Sequence, residues 1–199
     1  MQLRFKYPNF ESALPAPQSD LAQNLLKSEY NLEFLSIQEN IHERELEKAL
    51  VSHMQKFLLE LGVGFAFMGQ QYRLEVEGDE FYIDLLFYHV HLRCYVVIEL
   101  KTTEFRPEYS GQINFYVNVV NDQLKHPDDE PTIGLMLCRS RKKSIVHYAL
   151  HGISQPIGVS TYELGDVLPE SVQESLPSVE QLEMEIESAA REFEDSREG

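Results

Sequence analysis

The stretch FYIDLLFYHVHLRCYVVIELK, Phe81 to Lys101, constrains the chain most: it reads as two apolar strands that each carry charge where a strand avoids it. Alternation along Cys94 to Lys101 places Cys94, Val96, Ile98 and Leu100 on one face and Tyr95, Val97, Glu99 and Lys101 on the other. In the preceding strand Phe81, Ile83, Leu85 and Phe87 share a face, and Asp84 lies opposite with Tyr82, Leu86 and Tyr88. A reversal centred between His91 and Leu92 sets Asp84 directly across from Glu99. Opposed Cβ atoms in such a pair lie about 4.5–5.5 Å apart. Carboxylates that close repel unless a cation or a shared proton intervenes, and a divalent metal is the obvious candidate.

The segments on either side supply what such a hairpin needs for a core. From Gln38 to Leu61, Leu46, Leu50, Met54, Phe57, Leu58 and Leu61 recur at helical spacing, which predicts one long amphipathic helix stopped by Gly62 and Gly64. Glu43 and Glu47 fall on the line through Leu50 and Met54, where a solvated helix edge competes with a functional role. Phe65 to Glu77 reads as a strand bending at Gly69, so three strands form an antiparallel meander. Beyond Pro107 a helix carries Gln112, Ile113, Tyr116, Val117, Val120 and Leu124, with Gln112 and Tyr116 on one face. Thr132 to Cys138 is a continuous apolar run, as in a strand buried on both faces. A short helix through Ile145 to Leu150 and a strand from Ile157 to Leu164 complete the set. The class is α/β, a central mixed sheet flanked by helices, in the order helix, three-strand meander, helix, strand, helix, strand.

Three regions are expected. Residues 1–36, with Pro8, Pro15 and Pro17 ahead of a short helix capped by Ser19 or Asp20, read as a linker-like N-terminal tail or the remnant of an upstream domain. Residues 37–165 form the core domain. Residues 166–199 form an acidic helical tail whose seam of Val179, Leu182, Ile186, Ala189 and Phe193 suits docking on the domain or pairing with a second copy. A homodimer through that helix or a sheet edge is the partner reading. The chain's 199 residues, 43% hydrophobic, support one well-cored domain. Cys94 and Cys138 sit in apolar runs and read as buried thiols. No stretch has the length of a membrane span or the pattern of a secretory signal, so no membrane association and a cytoplasmic location are expected.

The net charge of −16 is unevenly spread, with −9 in residues 166–199 and −5 in residues 41–165. Such a chain is no nonspecific coat for nucleic acid. It can still be a metal-dependent enzyme, whose carboxylates a cation neutralises. The cluster Arg139, Arg141, Lys142 and Lys143 is either a footprint for a nucleic-acid backbone or a solvated loop. His89 and His91 read as a solvated hairpin tip. No Cys or His spacing fits zinc, and no glycine-rich phosphate loop is present.

An acid-x-Lys triplet alone carries little. Asp84 followed by Glu99-Leu100-Lys101, set in helix, three strands, helix, strand, resembles the PD-(D/E)XK nuclease superfamily and its restriction-endonuclease-like core. More narrowly, ERELEKAL, YIDLLFYH, CYVVIELK, GQINFYVN and PTIGLMLCRS resemble the C-terminal nuclease domain of the bacterial YhcG-like family, over about Glu43 to Leu164. Two departures stand out: Ile83 precedes Asp84 where the superfamily's name has Pro, and the family usually carries a larger helical N-terminal domain, of which the first forty residues here are read as a remnant at most. The resemblance implies a phosphodiester hydrolase acting on nucleic acid, DNA ahead of RNA, by metal-activated water. It implies Mg²⁺ or Mn²⁺ held by Asp84, Glu99 and the Leu100 carbonyl, with Lys101 orienting or deprotonating the water. It gives Glu47 the role of the first-helix glutamate, with Glu43 as fallback, and gives Gln112 and Tyr116 the positioning of Lys101 or a phosphate. For Tyr116 a core aromatic is the competing reading. The alternative for the whole chain is a non-catalytic binding or assembly module that retains the nuclease fold.

Overall fold

A computed structural model describes residues 8–37 and 40–165. Its elements are α1 (Phe10–Ala13), α2 (Gln18–Leu25), β1 (Glu29–Asn31), α3 (Glu43–Ser52), α4 (Met54–Leu61), β2 (Phe65–Val76), β3 (Asp79–His89) and β4 (Cys94–Leu100). There follow α5 (Glu108–Gln123), β5 (Ile133–Cys138), α6 (Lys143–Leu150) and β6 (Ile157–Glu163). The strands form one sheet in the order β1-β6-β5-β4-β3-β2. The meander β2-β3-β4 is antiparallel, whereas β4, β5, β6 and β1 run parallel, so the sheet is mixed as expected.

Alternation divides the core between the two faces of this sheet. Leu85, Phe87, Val96, Ile98, Leu100, Leu135 and Leu137 pack with Leu46, Leu50, Phe57 and Leu61 of α3 and α4. Leu86, Val97, Met136, Ile157 and Val159 pack with Ile113, Val117 and Val120 of α5 and Val146 of α6. Each such side chain contributes about 1.5–3 kcal/mol by leaving water. Helix α5 approaches β5 so closely that a Cβ at Gly134 would lie 2.9 Å from Ile113 Cγ1, so the helix seats there only over a glycine.

The hairpin register is the expected one: Leu85 pairs with Ile98 and His89 with Cys94. The facing of β3 is not. Leu85 and Phe87 join the α3–α4 side, but Phe81 and Ile83 pack with Leu86 on the α5 side. The strand rolls over at Asp84, where pairing with β4 has just ended and β3 continues beside β2 alone. In β2 the register slips between Phe67 and Gly69, and Gln71 takes a left-handed φ of 44°. A bulge twists and re-aims a strand in this way.

Other expectations are corrected. The single helix of residues 38–61 is two, α3 and α4, separated at His53, whose φ of −113° and ψ of 33° leave the helix. There the His53 ring bonds the Ala49 carbonyl at 3.0 Å, and its N–H is shared between the Ala49 and Leu50 carbonyls at 3.1 and 3.2 Å. Side-chain bonds of this kind compete with the helical ladder. Residues 8–36 are not a loose linker. Phe10, Leu14, Ala22, Tyr30, Leu32 and Leu35 lie in the α3–α4 side of the core, and β1 extends the sheet by pairing with β6. The prolines misled because the segment's apolar residues are spread over short elements. His89 is buried rather than solvated: its Nδ1 accepts the Leu92 N–H at 3.2 Å, and its ring meets Phe65 edge-on at 4.7 Å.

The tail helix expected over residues 166–199 lies outside the described residues. The homodimer through it or a sheet edge is without support, and the long edge strand β2 carries a bulge of the kind that blunts edge-to-edge pairing. No helix among the described residues is long and apolar enough to cross a membrane.

Candidate active site

Where β3 leaves β4, side chains replace the ladder. The Asp84 N–H donates to Glu99 Oε1 at 3.2 Å, and the Leu100 N–H donates to Asp84 Oδ2 at 2.9 Å. Each strand therefore satisfies its last main-chain donor with the other's carboxylate. Glu99 is 1% exposed, and burial followed by the charge of Asp84 holds its carboxyl well above the ordinary range. Burial likewise pushes Asp84 up, against the Leu100 hydrogen bond and the charge of Lys101.

Lys101 follows at the end of β4, 8% exposed. Its Nζ lies 3.5 Å from Glu43 Oε2 and 5.2 Å from the centre of the Tyr109 ring. Burial works against this ammonium, but the charges of Glu43, Glu99 and Asp84 outweigh it and keep the group above its ordinary value. The strand end is anchored as well: the Lys101 N–H donates to the Leu137 carbonyl at 2.8 Å, and the Tyr162 hydroxyl donates to the Lys101 carbonyl at 3.0 Å. Glu47, one helical turn beyond Glu43, is 5% exposed, and its Oε2 accepts from Gln71 Nε2 at 2.6 Å. The same nitrogen donates to Asp84 Oδ1 at 3.2 Å.

From α5, Gln112 Nε2 donates to the Tyr116 hydroxyl at 3.4 Å. Burial raises the Tyr116 phenol, and the charges of Glu99 and Asp84 add to the rise, so the hydroxyl stays protonated in their field. The structure thus gathers Asp84, Glu99, Lys101, Glu47, Glu43, Gln112 and Tyr116 around one end of the hairpin. The basic cluster lies on the adjoining loop, where the Arg139 N–H bonds the Thr103 carbonyl at 3.0 Å. Its members are largely engaged: Arg139 stacks on Tyr162, Arg141 donates to the Ser28 and Val159 carbonyls, and Lys142 pairs with Glu104.

Comparison with known proteins identifies the family. A family model, the YhcG PDDEXK nuclease domain, matches residues 23–177. The chain belongs to that nuclease family. It is 38% identical over 150 residues to "Putative nuclease YhcG" of Escherichia coli (strain K12), an alignment covering 75% of this chain and 40% of that protein. The chain therefore spans less than half the length of this relative. Among solved structures, a repair endonuclease from Pyrococcus abyssi aligns over 64% of this chain and 50% of its own, with 18% identity and a TM-score of 0.43. A structure of EndoMS with double-stranded DNA aligns over 63% and 46%, with 16% identity and a TM-score of 0.42.

The YhcG family's acid and Glu-x-Lys motif implies a divalent cation, and the residues present fit one. The donors are oxygens, Glu99 is buried and Asp84 half-buried, and burial raises both carboxyls against the opposing charge of Lys101. Among the described residues no three His, Cys, Asp or Glu side chains converge as a cage. Mg²⁺ sites commonly use one or two carboxylates and fill the remaining positions with water and substrate. Two site residues escape sequence reasoning. Tyr109 had a usable signal, since it stands three and seven residues before Gln112 and Tyr116, on the same helical face. Gln71 had none: it is one of several polar residues in its strand, beside Gln70 and ahead of Arg73 and Glu75, and an irregularity of β2 brings it to the site.

Proposed function

We propose that this chain is a metal-dependent nuclease that hydrolyses phosphodiester bonds of nucleic acid by attack of water. DNA is put ahead of RNA on the restriction-endonuclease-like architecture. The observation that carries the reading is the buried Glu99 and half-buried Asp84, each carboxylate bonded to the other's strand, with Lys101 at the same strand end, in a nuclease-family domain. Asp84, Glu99 and the Leu100 carbonyl would hold Mg²⁺ or Mn²⁺. When bound, the cation supplies Lewis-acid polarisation of a phosphoryl oxygen and acidifies water. The protein's own groups do the rest. Lys101 remains a charged ammonium, restrained by Glu43 and Tyr109, and can offer that charge to the oxygens on which negative charge develops. Tyr116, still protonated and held by Gln112, is a donor for a phosphate or for the carboxylates. Glu47 completes the acidic side of the site.

The test is incubation of the purified chain with labelled single-stranded, duplex and branched DNA and with RNA, with Mg²⁺ or Mn²⁺ or with chelator. Cleavage of at least one substrate that vanishes with chelator is expected. Intact substrates throughout, together with no heat of divalent-metal binding in calorimetry, would leave a non-catalytic module as the function.

A further inference from the structure

We infer that Gln71 is a positioning residue that clasps Glu47 to Asp84 and so decides which glutamate of α3 serves the metal site; this rests on the metal-dependent reading above. Carboxylates only accept hydrogen bonds, and a primary amide nitrogen carries two hydrogens. Gln71 Nε2 lies 2.6 Å from Glu47 Oε2 and 3.2 Å from Asp84 Oδ1, so one amide spends both hydrogens on two acids from different elements. Glu43, the other glutamate on that line of α3, is drawn to Lys101 instead. The two glutamates are thereby sorted, one to the cation-binding side and one to the lysine.

The backbone of β2 is bent to make this reach. Gln71 stands at a left-handed φ of 44° inside a strand, just after the register slip between Phe67 and Gly69. Side chains other than glycine, asparagine and aspartate enter that region at a cost, and such strain gathers at functional sites. Without the amide, the buried Glu47 carboxylate and the half-buried Asp84 carboxylate would face each other across the gap it fills. Outer partners of this kind orient the acids that bind metal, and their loss weakens metal affinity by about 10–100-fold.

The test is Mn²⁺ calorimetry on the whole chain for wild type, Gln71→Gly, Glu47→Ala and the double variant. Glycine is chosen because it adopts a positive φ without strain and so keeps β2 on its path. Gln71→Gly is expected to retain the native circular dichroism, to bind Mn²⁺ about 10–100-fold more weakly, and to cost markedly less in the Glu47→Ala background, where only the bond to Asp84 is left to lose. A residue that merely shaped the strand would lower affinity by the same factor in both backgrounds, and that result overturns the inference. So does wild-type affinity in a folded Gln71→Gly. Should the wild type itself bind no Mn²⁺, the metal-dependent reading fails first and takes this one with it.

Discussion

At the scale of single residues, the site stores repulsion that a cation would relieve. Asp84 and Glu99 are both raised by burial, and the charge of one adds to the rise of the other. Replacing Asp84 with Asn removes one of those charges while keeping an oxygen for the Leu100 N–H. Metal-free wild type should therefore lose stability as pH rises through the range in which these raised carboxyls ionise, and Asp84→Asn should flatten that fall. Thermal melting in chelator across pH measures this, and an unchanged slope would show that the pair is not strained. Lys101→Ala should keep the fold and lower cleavage by roughly 10²–10³, the usual cost of losing one group that stabilises developing charge. The two cysteines make the opposite point. Burial pushes both thiols up to about 12, so in the native chain they should resist a disulfide reagent at pH 8 and react on unfolding. Rapid labelling of two thiols per folded chain would contradict that.

At the scale of elements, what was legible was what depends on near neighbours. The register of β3 on β4 could be read because the turn at His91 and Leu92 fixes it, and with it the nearness of Asp84 to Glu99 just past the last paired residues. The facing of Phe81 and Ile83 could not, because alternation assumes a regular strand and β3 rolls over where β4 stops supporting it. The break at His53 was hidden for a similar reason: the apolar period runs on through α4 while the His53 ring takes a backbone carbonyl. Strand β1 was illegible because it has three residues and pairs with β6, far along the chain. The buried turn yields a pH prediction. Burial first, then the charge of His91, holds the His89 imidazole below its ordinary value. As pH falls, the unfolded chain takes up its proton before the folded one. This contribution to stability is intact above about pH 6.5 and is lost as pH drops through the lower folded-state value. The melting temperature should fall on that acid limb, and His89→Gln should flatten it; an unchanged slope would rule the group out.

At the scale of the molecule, residues 8–36 are part of what holds the site together, since β1 and the side chains of Tyr30 and Leu32 close one side of the core. Tyr30 is fully buried, its hydroxyl accepting the Lys27 N–H at 3.2 Å. Tyr30→Ala should cost about 3–5 kcal/mol, the range for deleting a large buried aromatic, as read by denaturant unfolding. A cost near zero would mean that the segment only rests on the core. Charge also acts at this scale. A chain of net −16 has no general attraction for a polyanion, so the proposed hold on nucleic acid would rest on local groups at the site rather than on overall charge. The central claim therefore comes down to one comparison: cleavage of a labelled DNA substrate by wild type and by Asp84→Ala, each with Mg²⁺ and with chelator. The account predicts cleavage by wild type with Mg²⁺ alone, and none by a folded Asp84→Ala. Cleavage that survives chelator, or that survives the loss of Asp84, would contradict it.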